Sequence, residues 1–165
     1  MSEWTRTPTR RKTEYGYIFY GGACRDDYSN FRTYDQGGGN TIVTLQKPAL
    51  LALLEAQVKF ARASGWSKER IQRNQKAIDG KKHPEGRPIK VLPGTNRTCS
   101  TQKALYADDP DRYADPKITG HTRGIAIDAR QDQDDLDDAN DALAAAGWKR
   151  VRLDEGWHWS YGYVI

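Results

Sequence analysis

The sequence predicts an α+β fold in which a small antiparallel sheet is flanked by helices. Two observations support this fold class. Apolar residues recur at helical spacing in several segments that end at glycines, and the C-terminal half alternates strand-like and helix-like segments. The last two strand-like segments are joined only by Asp154-Glu155-Gly156. This turn is too short for a parallel crossover, so these strands should pair antiparallel.

At 165 residues the chain suits one domain with one hydrophobic core. We predict an irregular N-terminal arm over residues 1–40 and a main domain over residues 41–165. The arm is rich in Gly, Tyr, Arg and Asp and has no helical period. Its one expected strand runs from Tyr15 to Tyr20. Such an arm either packs on the main domain or docks a partner.

The clearest predicted helix follows this arm. Pro48 suits a first helical turn, apolar residues recur from Leu50 to Ala61, and Gly65 ends the segment. Ser67 is a suitable N-cap for a second helix that extends to Ile78. The remaining expected elements, in chain order, are strand Ile89–Leu92, helix Ser100–Tyr106, strand Arg123–Ala129, helix Asp134–Ala146, and strands Lys149–Leu153 and Trp157–Val164.

The charge balance bears on partners and location. A net charge of +4 favours anionic partners through long-range attraction. The basic residues are scattered and 22 acidic residues offset them, which favours a cell-wall polymer over nucleic acid. No apolar run approaches the roughly 18 residues that span a bilayer, and no apolar h-region follows the basic N-terminus. We therefore expect no membrane anchor, no signal peptide, and synthesis in the cytoplasm.

The two cysteines, Cys24 and Cys99, form no CxxC pair and lie too far apart in sequence for a zinc knuckle. In a chain made in a reducing compartment, buried free thiols are the expected state. A disulfide is the alternative.

Two C-terminal segments carry residues suited to metal chemistry. His121, Asp128 and His158 are three possible ligands, and Glu155 lies three residues before the second histidine. Three protein ligands with an open position and a nearby carboxylate are the composition of a hydrolytic zinc site. The segments are TGHTRGIAID over 119–128 and EGWHW over 155–159.

Strand alternation gives the first of these segments two distinct faces. Gly124, Ala126 and Asp128 share one face, and Ile125 and Ile127 share the other. The isoleucines suit a hydrophobic core. The opposite face leaves space over Asp128, which should bind a cation or be well hydrogen-bonded because an unpaired buried carboxylate is costly.

Both histidines need a bend to reach a common point. His121 stands seven positions before Asp128, so convergence requires a bend near Arg123-Gly124, which glycine permits. Gly156 provides the same freedom before His158. Beyond Gly156, His158 and Ser160 should share one face of the last strand, and Trp157 and Trp159 should share the other. The two tryptophans then either form a wall of the site or fill the core.

These motifs resemble those of the VanY-type D-alanyl-D-alanine carboxypeptidases. That family belongs to the LAS zinc peptidases, together with lysostaphin-type enzymes and the hedgehog signalling domain. Arg97 and Gln102 have the spacing of the family's upstream arginine and glutamine, and Thr119 replaces its serine two residues before the first histidine. Asn96 departs from the family, which has an aromatic residue there. The resemblance covers roughly Val91 to Tyr161.

The resemblance implies a hedgehog/D-Ala-D-Ala peptidase-like zinc domain that binds one Zn2+ ion. Its implied ligands are His121, Asp128 and His158. Glu155 is implied as the catalytic base and Arg97 as the residue that stabilises the developing oxyanion. The implied substrate contacts are Gln102, Trp157 and Thr119, with Gln102 alternatively supporting the ligands from behind.

The family acts on peptides of the bacterial cell wall, so the implied substrate is the peptidoglycan stem peptide. A short basic chain without an export signal favours a phage lysin, released with a holin or mounted on a virion. We therefore expect an endolysin-type hydrolase that cuts, for example, between L-Ala and D-Glu. The alternatives are a D-alanyl-D-alanine carboxypeptidase and a virion-associated structural or binding domain that keeps the zinc fold.

Overall fold

The computed structural model describes the chain at residues 10–19, 31–35, 42–63, 65, 67–70, 72–73, 89–92, 99–113, 124–150 and 156–162. Within these ranges, helices pack against small antiparallel sheets around a shared hydrophobic core. The predicted α+β class is confirmed. In these ranges no helix is long and apolar enough to cross a membrane.

The N-terminal part of the chain forms two strand pairs. Strand β1 (Arg10–Thr13) pairs antiparallel with β2 (Gly16–Phe19), and β3 (Phe31–Asp35) pairs antiparallel with β4 (Ile42–Gln46). The described part of residues 1–40 therefore contains β1 and β3 besides the one expected strand. Strand β1 could not be predicted from the sequence because it is charged and exposed and carries no apolar alternation. The boundary at residue 40 stays a prediction.

The longest helix, α1 (Lys47–Ala63), confirms the first predicted helix. Pro48 lies in its first turn, and Gly65 follows it with a positive φ of 74°. The Ser67 hydroxyl then accepts a hydrogen bond from the Arg70 amide at 3.2 Å, as an N-cap does. Residues 68–70 and 72–73 are helical, and the rest of the predicted second helix, to Ile78, lies outside the described residues.

The C-terminal half holds a three-stranded antiparallel sheet. Its strands are β5 (Ala126–Asp128), β6 (Trp148–Lys149) and β7 (His158–Tyr161), in the order β5-β7-β6. The predicted antiparallel pairing of the last two strands is confirmed. The expected strand at residues 89–92 is reduced to one bridge, in which Val91 pairs antiparallel with Ala129 on the free side of β5.

Two further helices match their predictions closely. Helix α2 (Cys99–Asp108) covers the expected segment, and α3 (Leu136–Ala145) starts two residues later than expected. The delay follows from Asp135, whose positive φ of 56° keeps it outside the helix. Helix α3 packs on α1, and Leu143 lies in the common core.

Two buried glutamines complete the short strands with their side chains. Gln46 accepts a hydrogen bond from the Phe19 amide at 2.8 Å and donates to the Phe19 carbonyl at 2.6 Å. Gln133 does the same to Lys90, accepting from its amide at 2.9 Å and donating to its carbonyl at 3.1 Å. Each carboxamide thereby replaces a strand partner for buried backbone groups, which must be hydrogen-bonded.

Cys99 forms a disulfide, so the expectation of free thiols is wrong at this residue. The sequence contains one other cysteine, Cys24, which lies outside the described residues. The expectation rested on the compartment of synthesis, which says nothing about whether two sulfur atoms meet in the fold. Cys99 is buried at the first residue of α2.

Candidate metal centre

The register of the C-terminal sheet brings two predicted ligands together. Asp128 on β5 pairs directly with His158 on β7, and Ala126 pairs with Ser160. Directly opposed residues of an antiparallel pair project to the same side of the sheet. These side chains therefore share one face, which we call the site face.

The opposite face belongs to the hydrophobic core, as the alternation predicted. Ile125 and Ile127 are fully buried in the core cluster, and Trp159, which pairs with Ile127, joins them. One tryptophan thus fills the core. The other, Trp157, lies in the turn before β7 and is 41% exposed.

The distance between the two paired side chains matches metal coordination. His158 Nδ1 lies 3.3 Å from Asp128 Oδ1, and their side chains are only 9% and 17% exposed. A charge-assisted hydrogen bond between such groups is normally shorter, about 2.7–2.9 Å. Two ligand atoms about 2.0–2.1 Å from one tetrahedral zinc ion stand about 3.3–3.4 Å apart. The two groups therefore fit as neighbouring ligands of one zinc ion.

The second nitrogen of the imidazole has a protein contact. Ser160 Oγ lies 3.4 Å from His158 Nε2, and Ser160 is fully buried. If Nε2 carries the proton and donates to this hydroxyl, the Nδ1 lone pair faces Asp128 and would be able to hold a metal ion. Such a contact to the remaining ring nitrogen orients metal-ligating histidines. The sequence placed Ser160 on the correct face, yet only the structure identifies it as a site residue.

The predicted bend ahead of β5 is confirmed at Gly124. Its φ is 68°, and a Cβ atom there would lie 2.8 Å from Phe31 Cε1 and 2.9 Å from the Gln46 amide nitrogen. The Gln46 amide also donates to the Gly124 carbonyl at 2.9 Å. Only glycine satisfies both the left-handed backbone and this close approach. The bend sets the direction from which the chain enters β5.

The other predicted site residues fall into two groups. Gln102 lies on α2 and is fully buried, which disfavours direct substrate contact, and its alternative role behind the ligands stays a prediction. The residues outside the described part of the chain are Arg97, Thr119, His121 and Glu155. Within the described part, no three side chains of His, Cys, Asp or Glu gather as a possible metal site.

Three titratable groups of the described residues have a shifted pKa. Beyond β5, Arg130 Nε lies 2.6 Å from Asp132 Oδ1, and this hydrogen bond lowers the pKa of the exposed Asp132 carboxyl. At the end of β7, burial raises the pKa of Tyr161. Burial also raises the pKa of Tyr15 to about 12, with a further contribution from its hydrogen bond to Glu55.

Comparisons with known proteins give a structural likeness but no sequence match. No protein-family model matches the chain, and no curated protein sequence matches it. The structure is similar to that of the LdcB LD-carboxypeptidase, which was described as revealing the molecular basis of peptidoglycan recognition. The likeness covers 98% of this chain and 85% of that one, with 18% identity and a TM-score of 0.46. At this level it assigns no function by itself.

Proposed function

We propose that the chain is a zinc peptidase that hydrolyses an amide bond of the peptidoglycan stem peptide. The observation that supports it best is the 3.3 Å separation between His158 Nδ1 and Asp128 Oδ1 on paired strands. The two residues belong to separate sequence motifs and lie 30 positions apart in the chain. A random pair of residues would rarely have that spacing and shared face.

His121 is the proposed third ligand. It precedes the Gly124 bend by three residues, and a bend there is what its convergence on Asp128 requires. Three protein ligands leave one position open for solvent and substrate, as in catalytic zinc sites. When bound, zinc supplies Lewis acidity, which polarises the scissile carbonyl and lowers the pKa of a water molecule.

The chain's own residues supply the remaining steps. Glu155 accepts a proton from the attacking water and later donates it to the leaving amine, so its carboxylate acts first as a base and then as an acid. Arg97, which is permanently charged, stabilises the negative charge that develops on the carbonyl oxygen. The core beneath β5 and β7 keeps Asp128 and His158 in register and excludes water from behind them.

The proposed substrate follows from the motifs and the surface around the site. The motif set resembles that of enzymes acting on cell-wall peptides, and the exposed Trp157, which directly precedes His158 in the sequence, offers a flat apolar contact for such a peptide. We favour endopeptidase action of the endolysin type, at L-Ala–D-Glu, after release from the producing cell or from a virion. The alternative specificity is removal of terminal D-alanine.

The test combines metal analysis with cleavage of purified muropeptides. We expect one zinc per wild-type chain, loss of activity with a chelator, and recovery when zinc is added back. The variant Glu155→Gln should keep its zinc and lose activity by about 10²–10⁴-fold, since only the proton transfer is removed. Asp128→Asn should lose zinc and activity together.

Three outcomes separate the candidates. Cleavage that survives both chelation and Glu155→Gln contradicts the proposal. Zinc binding without cleavage of any muropeptide would point instead to a virion-associated binding or structural domain. If cleavage occurs, mass spectrometry of the products distinguishes loss of a terminal D-alanine from a cut within the stem.

A further inference from the structure

The edge strand of the C-terminal sheet places a cation on the site face. Lys149 on β6 pairs directly with Ser160, and its neighbour Trp148 pairs with Tyr161. Trp148 is buried in the core. Because side chains alternate along a strand, Lys149 projects to the other side, the same side as Ser160 and His158. It is exposed.

Lys149 lies within reach of the approach to the metal centre. Directly opposed residues of an antiparallel pair have Cβ atoms about 4.5–5.5 Å apart, so Lys149 stands next to Ser160. Ser160 Oγ in turn lies 3.4 Å from the His158 ring. The flexible four-carbon stem of lysine lets the ammonium extend over Ser160 toward the ligands.

Two other described cations, Lys90 and Arg130, act on the Asp132 carboxylate. Lys90 and Arg130 lie beyond the opposite end of the site, where both lower the pKa of Asp132, and Arg130 forms an ion pair with it. Among the described residues, by contrast, no carboxylate forms an ion pair with Lys149. Within the part of the chain that the structure describes, Lys149 is therefore a cation on this face that is available to a ligand.

The two flanks of the site differ in chemistry. Val91 bridges to Ala129 and is buried in the core, so Leu92 projects to the site face next to Asp128, where it is 37% exposed. One flank of the ligand pair thus carries an apolar side chain and the other a cation. A substrate that crosses the site face meets these flanks in a fixed order, which orients it.

We propose that Lys149 binds the carboxylate of the substrate residue that departs as the amine. The inference rests on the proposed function. Both candidate cleavages leave such a carboxylate beside the scissile bond: the α-carboxylate of D-Glu, which continues the stem through its side chain, and the terminal carboxylate of D-Ala. A lysine ammonium holds either as a point charge. Lys149 is a specificity-determining residue and takes no part in the chemical step.

The experiment compares two stem peptides that differ only in whether this group is a carboxylate or a carboxamide. Wild-type protein should show a KM roughly fivefold lower for the carboxylate, the size expected of a partly exposed ion pair. Lys149→Gln should raise KM for the carboxylate peptide alone and leave kcat unchanged, because the contact contributes equally to substrate and transition-state binding. Lys149→Arg should restore the preference.

The matched control is Lys68→Gln, which removes the same charge from an exposed position outside the sheet. It should leave the preference intact, and all variants should keep wild-type zinc content. If Lys149→Gln cleaves both peptides with the wild-type preference, the inference is overturned while the proposed function stands. If zinc-loaded wild-type protein cleaves neither peptide, the proposed function is overturned and this inference with it.

Discussion

The two halves of the molecule hold their strands in different ways. In the C-terminal sheet, all four residues of β7 are buried, and apolar side chains on one face fix the register that brings Asp128 to His158. In the N-terminal half, β1 is exposed. The hairpin that β1 forms with β2 is held by hydrogen bonds between the Gln46 carboxamide and the Phe19 backbone, and by one that Arg11 Nη1 donates to the Gly162 carbonyl at 2.9 Å. Packing therefore sets the register at the site, whereas the hairpin is attached both by these hydrogen bonds and by Ile18, which is buried in the core.

The largest effect should come from breaking the ligand pair itself. His158→Ala removes one of three proposed zinc ligands and leaves the half-buried Asp128 carboxylate without this partner. We expect zinc binding to be lost and peptidase activity to fall below detection, as measured by metal analysis and muropeptide cleavage. Full zinc occupancy in this variant would contradict the assignment of the site to the β5–β7 pair.

The next largest effect, on the stability of the fold, should come from changing Gly124, at the bend before β5. Gly124→Ala should destabilise the fold by about 2–4 kcal/mol, because it combines a left-handed backbone with overpacking against the Gln46 backbone. Urea unfolding measures this change. The matched control is Gly65→Ala, where φ is 74° but no atom lies within 4 Å of the added Cβ, so the cost should be about 1 kcal/mol. If the two substitutions lowered the free energy of unfolding equally, the close approach of Gly124 to the Gln46 backbone would not contribute to stability.

The polar attachment of the hairpin can be broken without touching the ligands. Gln46→Leu removes both hydrogen bonds to Phe19 and should cost about 1–3 kcal/mol in the free energy of unfolding. Zinc content should stay at the wild-type level. Gln131→Leu, an exposed glutamine with one backbone hydrogen bond, should change stability by about 0.5 kcal/mol or less. Loss of zinc from Gln46→Leu at native conditions would show that the two halves are not separable.

The contact that Ser160 makes with the His158 imidazole should contribute less to zinc binding than the ligands themselves. Ser160→Ala removes the contact to His158 Nε2 and should weaken zinc binding by about tenfold, the lower end for partners of metal ligands. Competition with a chromogenic chelator measures it. Ser67→Ala, which removes a helix N-cap, should lower stability slightly and leave zinc affinity unchanged. An unchanged affinity in Ser160→Ala would remove Ser160 from the site.

The smallest effect concerns the hairpin at alkaline pH. The pKa of Tyr15 is raised to about 12, so folding favours its neutral form. The stability that this provides is complete below pH 10, the ordinary pKa, and is lost as the pH rises toward 12. Tyr15→Phe should therefore unfold less steeply across that window. Tyrosinate absorbance should also show one fewer late-titrating group, and an unchanged titration curve would contradict the shift.

The sequence predicted most where apolar spacing was strong. Helix α1, with its proline start and glycine end, and the opposite faces of Ile127 and Asp128 all followed from periodicity. Strand β1 could not be predicted, since its RRKT sequence has no apolar period and its partner provides the pairing. The disulfide of Cys99 and the Ser160 contact also escaped, because both depend on which distant atoms meet.

Gln46 on β4 forms hydrogen bonds with two other segments of the chain, at Gly124 and at Phe19. Its amide nitrogen binds the Gly124 carbonyl, while its carboxamide binds both backbone groups of Phe19. A shortened protein that begins at residue 41 would deprive this interior carboxamide of both Phe19 groups and empty the space that Ile18 fills in the core. Anyone wishing to graft the C-terminal half onto another scaffold should therefore carry the hairpin along with it.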